Sequence, residues 1–213
     1  KVKRTSEQIS RSCALALGVM CQPYEDPKDK SPDNEYSQLL LDQFHEGKDE
    51  QARSFAILAL GEIGGKENHD TLIKEFDKAK KMVKPWCAMA MGVLAFRSYD
   101  AAEKAGTTPD VDKAFGETLR AALKDEKSPN VRGGLAVALG LCRFRAASDD
   151  LRALLMKSHE EEEQGYFCIG LALMNEDRAK VDINNVINAS LRKPKLLQQA
   201  AIALGKLGDK RVA

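Results

Sequence analysis

The side chains best equipped for chemistry are few and scattered. Three histidines are present: His45, His69 and His159. His45-Glu46 and His159-Glu160 set an imidazole beside a carboxylate, the raw material of a metal site or a general base. A zinc-protease helix needs a second histidine one turn on, and His159 is followed by Glu160-Glu-Glu-Glu163 instead. That run reads as a solvated acidic segment. His69 before Asp70 reads as a helix start. Gly61-Glu-Ile-Gly-Gly-Lys66 has the outline of a phosphate loop, but its glycine spacing is one residue short, Glu67 stands where Ser or Thr is required, and no strand precedes it. It reads as a helix C-cap followed by a turn. No Gly-x-Ser-x-Gly nucleophile elbow occurs.

Five cysteines are present: Cys13, Cys21, Cys87, Cys142 and Cys168. An odd number cannot all pair internally, and no Cys-x-x-Cys is found. All lie in or beside apolar helical stretches, where a free thiol behaves as a small hydrophobe. The expectation is buried, reduced thiols and a reducing compartment such as the cytoplasm.

Composition sets the frame that must hold these residues. The chain has 213 residues, 43% hydrophobic but only 6% aromatic. Ala and Leu carry the apolar load, which favours packed helices over sheets. Lys plus Arg is 33 against 32 Asp plus Glu, for a formal charge of +1. The basic surplus that phosphate neutralisation demands is missing, so nucleic acid is not an expected partner. The basic start Lys1-Val2-Lys3-Arg4 reads as a solvated end. No apolar run approaches the roughly 20 residues of a membrane span, and no signal-peptide pattern is seen.

One phrase recurs: Arg11-Ser-Cys-Ala-Leu-Ala-Leu-Gly18, Arg53-Ser-Phe-Ala-Ile-Leu-Ala-Leu-Gly61, Pro85-Trp-Cys-Ala-Met-Ala-Met-Gly92, Gly133-Gly-Leu-Ala-Val-Ala-Leu-Gly140, Phe167-Cys-Ile-Gly-Leu-Ala-Leu-Met174 and Gln198-Gln-Ala-Ala-Ile-Ala-Leu-Gly205. With the last residue of each as position zero, the zeros are 43, 31, 48, 34 and 31 residues apart. The long intervals hold turn-rich segments, 22–34 and 98–112, which read as loop insertions in a regular array. Between the phrases, helical apolar spacing predicts further helices over 35–46, 69–81, 111–124, 149–157 and 182–192. A helix pair of about 31 residues cannot bury its own apolar face, so neighbouring pairs must supply the core.

These phrases resemble the HEAT family, in particular the short-period phycobilisome-lyase type, whose helix reads approximately Val-Arg-x-x-Ala-Ala-x-Ala-Leu-Gly. Val131-Arg132 and Ala52-Arg53 match its opening; Ala136-Val-Ala-Leu-Gly140 and Ala200-Ala-Ile-Ala-Leu-Gly205 match its close. The resemblance covers nearly the whole chain outside the insertions. It implies an all-α, right-handed α-solenoid of antiparallel helix pairs, armadillo-like, with about six repeats in a single domain over 1–213. Residues 1–20 supply a phrase helix without its partner, and Leu207–Ala213 reads as the opening of a further repeat, so the chain is read as an excerpt of a longer array. Arg53 and Arg132, at position −8, are expected to bond carboxylates of neighbouring repeats, with Asp49 or Glu50 in reach. Iron hydroxylases of this architecture carry His-Glu pairs at position −7. Here that position holds Arg11, Ser54, Pro85, Gly133, Phe167 and Gln198, so no iron site is expected.

One departure from the family pattern suggests what the fold is for. At roughly 100° per residue, positions −9, −5, −2, −1 and +2 share one arc, the core side, and Cys13 and Cys87 at −5 lie on it. Position −3 points away and is usually polar in the family. Here it is Leu15, Leu58, Met89, Val137, Leu171 and Ile202. Either these helices are buried on both sides or the residues line an apolar ridge on the concave surface. Trp86, Tyr166 and Phe167 stand near it, and aromatics dominate binding hot spots. The expectation is a non-catalytic scaffold without cofactor or metal. Its partner is another protein, or other domains of the same polypeptide, laid along these nine residues. The alternative is binding of a tetrapyrrole-like molecule, or a lyase-type enzyme, in the same groove.

Overall fold

The computed structural model describes residues 2–21, 32–190 and 192–209, with side chains from Ser6 and, after Cys21, from Glu35. Among them no strand occurs. The chain divides into two compact units, 1–109 and 110–213. The first holds α1 (Val2–Met20), α2 (Pro32–Glu46), α3 (Glu50–Ile63), α4 (Lys66–Lys78) and α5 (Lys84–Lys104). The second holds α6 (Lys113–Asp125), α7 (Pro129–Leu141), a single 3-10 turn (Arg145–Ala147), α8 (Ser148–Lys157), α9 (Glu161–Leu173), α10 (Ala179–Ala189) and α11 (Pro194–Lys206). No helix among the described residues is long and apolar enough to cross a membrane.

Local chemistry sets the helix ends. The Asp49 and Asp112 carboxylates cap α3 and α6 by accepting from the N–H groups of Ala52 and Phe115, both at 2.9 Å. Pro opens the first turn of α5, α7 and α11, where its missing N–H costs nothing.

The six phrases lie on α1, α3, α5, α7, α9 and α11. In the first unit α3 packs between α1 and α5; in the second, α9 packs between α7 and α11. The intervening helices pack against these layers: α2 lies on α3, and α4 on α3 and α5. In the second unit α6 lies on α7 and α8 on α9, while α10 contacts α8, α9 and α11. Leu40, Phe44, Leu72 and Phe76 from the intervening helices are buried, as are Leu60 and Met91 of the phrase helices. In the second unit Leu119, Leu151 and Ile183 are buried, as are Leu135, Leu139 and Leu204.

Two independent features fix the phrase register. Position +3 takes a left-handed backbone at Gly64 (φ 75°), Arg143 (52°), Asn175 (54°) and Gly208 (71°), which stops each helix and places zero at 61, 140, 172 and 205. Position zero also packs tightly on position −2 of the next phrase. A Cβ on Gly61 would come within 2.3 Å of the Ala90 carbonyl oxygen, and one on Gly140 within 2.6 Å of that of Gly170. Gly18 meets Ala59 in the same way. Both features put the fifth zero at Ala172 rather than Met174. The last spacings become 32 and 33 residues. A slip of two residues turns a helix by about 200°, so the correction moves every side chain of α9 to a different face.

The second insertion differs from the expected loop. Residues 98–104 are helical because α5 runs on to Lys104, leaving only 105–112 as connection. The third phrase has Ala95 where others place a left-handed residue, and Ala101-Ala-Glu-Lys104 favours helix, so nothing halts the helix before Gly106 (φ 70°). Of the first insertion, 22–31 lie outside the described residues, and 32–34 already belong to α2.

Candidate functional site

On the corrected register, positions −6, −3 and +1 form the face of each phrase helix opposite the core. In the first unit this face carries Leu15 and Val19 from α1, Phe55 and Leu58 from α3, and Trp86 and Met89 from α5. Leu15 is 46% exposed and Trp86 37%, while Leu58 and Met89 are half-buried. The rings of Phe55 and Trp86 meet edge to face, centroids 6.4 Å apart, and tie neighbouring helices together at the surface. The corresponding face of the second unit carries half-buried Val137 on α7, Tyr166 and half-buried Ile169 on α9, and Ile202 on α11, which is 57% exposed. Tyr166 stands over Gly133, where a Cβ would come within 2.5 Å of its ring.

Two of the nine expected residues fall elsewhere. Leu171 and Phe167 are fully buried, because on the corrected register they occupy the core positions −1 and −5. Ile169 takes the place assigned to Leu171. Phe55 at −6 and Val19 at +1 keep the i, i+3, i+7 spacing with Leu58 and Leu15, and spacing alone did not separate them from the core positions; exposed Met82 lies just before α5.

The polar residues around these layers are mutually engaged. Arg11 on α1 grips Asp49 with two hydrogen bonds of 2.7 Å. The Arg11 hydrogen bonds, opposed by desolvation and helped by the Ala52 N–H, hold the Asp49 carboxyl down at about 2. Arg97 binds Glu62 at 2.6 Å. In the second unit Arg120 on α6 donates to Asp150 on α8 at 2.6 Å, and Arg152 on α8 to Asp182 on α10 at 2.5 Å. Asn184, at the next equivalent position, donates to Asp209. Arg132 reaches Glu163 of the following phrase helix, as expected of position −8. Arg53 does not reach Asp49 or Glu50: it donates to the Phe44 carbonyl at 2.6 Å and lies over the Phe44 ring, while Asp49 is held by Arg11.

No family model matches the chain, and no curated protein matches it in sequence.

Groups with chemical reactivity do not converge. His45 sits 3.5 Å from Glu75 and His69 3.2 Å from Asp70. Among the described residues no cluster of three or more His, Cys, Asp or Glu is placed to hold a metal ion. Burial pushes the Cys87 and Cys168 thiols up to about 12 and raises that of Cys142 as well. Such thiols are poor nucleophiles. Cys21 is also buried, but Cys13, expected in the core, is exposed.

Proposed function

We propose that this chain folds as a HEAT-type right-handed α-solenoid of about six antiparallel helix pairs and works as a non-catalytic scaffold binding a protein segment. The architecture is supported by features that return at nearly constant spacing in the second unit. These are the left-handed stops at Arg143, Asn175 and Gly208, 32 and 33 residues apart, and the inter-helix ladder of Arg120, Arg152 and Asn184, each 32 residues from the last.

One observation carries the function. Positions −5 and −2 are buried in α3, α5, α7, α9 and α11, while an apolar residue at −3 keeps solvent contact in all six phrases: Leu15, Leu58, Met89, Val137, Ile169 and Ile202. A residue not needed by the core and not made polar is suited to an interface, and contiguous exposed apolar patches mark such sites. The partner best suited to a row of parallel helices with apolar ridges is an amphipathic helix or extended segment anchored by Trp86, Leu58 and Met89.

The test is capture of a partner by the wild type and by a Leu58→Glu, Met89→Glu double variant, with the fold checked by circular dichroism. The proposal predicts a folded variant that loses the captured partner. A folded variant with undiminished capture refutes it.

A further inference from the structure

The connection from α4 to α5 differs from those that lead into the other phrase helices. It reads Ala79-Lys-Lys-Met-Val83, with two lysines, two large apolar residues and no acid. The equivalent connections into α3, α7 and α9 are Gly47-Lys-Asp49, Glu126-Lys-Ser128 and Ser158-His-Glu160, and each contains a carboxylate. The approach to α11 is also basic, but there Lys193 donates to the His159 carbonyl and to Gln164, and Lys195 pairs with Glu162 at 2.9 Å. From Lys78 to Tyr99 the chain holds no acidic residue.

Backbone geometry sets the charge outward. The Lys80 carbonyl accepts from the N–H groups of Val83 and Lys84, both at 2.9 Å, so Lys80–Val83 is a closed turn with Lys81 and Met82 at its two central positions. Lys80 and Lys81 are exposed, and Met82 is 77% exposed. Among the described residues neither lysine forms an ion pair. Lys78 lies 3.5 Å from Glu75 and keeps most of its side chain in solvent, and Lys84 lies over the Phe76 ring at 4.8 Å. Partly exposed Trp86 follows on the first turn of α5. Four lysines thus stand within seven residues, beside two apolar side chains that the core leaves in water.

We propose that the α4–α5 turn is an anchor for an anionic lipid surface. A turn tip is convex, so it offers a polypeptide no groove for a side chain. A fluid bilayer needs none: lysines rest among anionic headgroups, each strengthening adsorption about fivefold, while Met82 and the Trp86 ring enter the headgroup boundary. The mode is adsorption, since no described helix is long and apolar enough to cross a membrane. The anchor shares Trp86 with the −3 face but does not depend on Leu58 or Met89, so it stands or falls apart from the reading above.

Trp86 is the chain's single tryptophan and reports directly on this turn. Its emission in the intact chain is followed against phosphatidylcholine vesicles with and without about a third phosphatidylserine, alongside co-sedimentation. Phosphatidylserine vesicles give a blue shift that about 1 M salt reverses, and pure phosphatidylcholine gives none. Lys80→Ala with Lys81→Ala, its fold checked by circular dichroism, weakens sedimentation with these vesicles about thirtyfold. Leu58→Gln leaves it unchanged. No blue shift with phosphatidylserine, or undiminished sedimentation of the lysine variant, overturns the proposal. Loss of vesicle binding by Leu58→Gln also overturns it, because the lipid then contacts the −3 face. So does an equal blue shift with a DNA duplex or polyglutamate, because the turn then answers to any polyanion.

Discussion

The guanidinium of Arg132 on α7 and the carboxylate of Glu163 on α9 meet at 2.5 Å, and the carboxylate is buried. Ser158 also donates to Glu163, so one acidic side chain joins two phrase helices and the loop between α8 and α9. Removing Arg132 leaves a buried charge with one neutral partner. Arg132→Ala is expected to cost about 3 kcal/mol in urea unfolding. Arg120→Ala leaves the more exposed Asp150 and should cost less than about 1 kcal/mol. Equal costs would mean that burial does not distinguish these pairs.

The corrected register makes a sharp contrast within α9. Ile169 at −3 is half-buried and Leu171 at −1 is fully buried. Ile169→Glu should cost about 1 kcal/mol, whereas Leu171→Glu places a charge in the core and should cost more than about 4 kcal/mol, enough to unfold the unit. Thermal melts decide it, and the opposite order would restore Met174 as the phrase end.

Gly61 and Gly205 occupy the same phrase position in different surroundings. A Cβ on Gly61 meets the backbone of α5, which cannot yield as a flexible side chain can, while one on Gly205 meets nothing within 4 Å. Gly61→Ala should therefore destabilise by about 2 kcal/mol through overpacking. Gly205→Ala should be neutral or gain up to about 1 kcal/mol from helix propensity. Chemical denaturation of both variants gives the comparison.

Asp49 carries an acid-sensitive share of the stability. Its carboxyl is held at about 2 by Arg11, below an ordinary value of 3.8, so the folded state binds its proton less readily than the unfolded chain. The stabilisation is complete above the ordinary value and is lost as pH falls from about 4 towards 2. The melting-temperature gap between wild type and Arg11→Gln should narrow across that window. A gap that stays constant to pH 2 would show that the pair does not sense the proton.

Much of this was legible in the sequence, for physical reasons. Helix identity followed from Ala- and Leu-rich apolar spacing, and the Gly at zero marked four of the five ends that α1, α3, α7, α9 and α11 present. The fifth misled because Gly170-Leu-Ala-Leu-Met174 repeats the Ala-Leu pattern two residues late, and only the left-handed Asn175 and the contact of Gly140 with Gly170 correct it. The run-on of α5 was hidden because a turn-like Gly-Thr-Thr-Pro follows a stretch that is itself helix-forming. The exposure of Cys13 was invisible, since a helix wheel reports which face is apolar but not whether a neighbour covers it. The aromatic pair Phe55 and Trp86 needed the lateral packing of α3 on α5, which sequence spacing does not contain.

The central claim, that the −3 face is a binding surface, is tested most directly by placing a photo-crosslinking benzoylphenylalanine at Leu58 and, separately, at exposed Lys74 on α4 in cells that produce the protein. The account predicts a discrete covalent adduct from position 58 upon irradiation and none from position 74. No adduct at 58, or the same adduct from both positions, would contradict it.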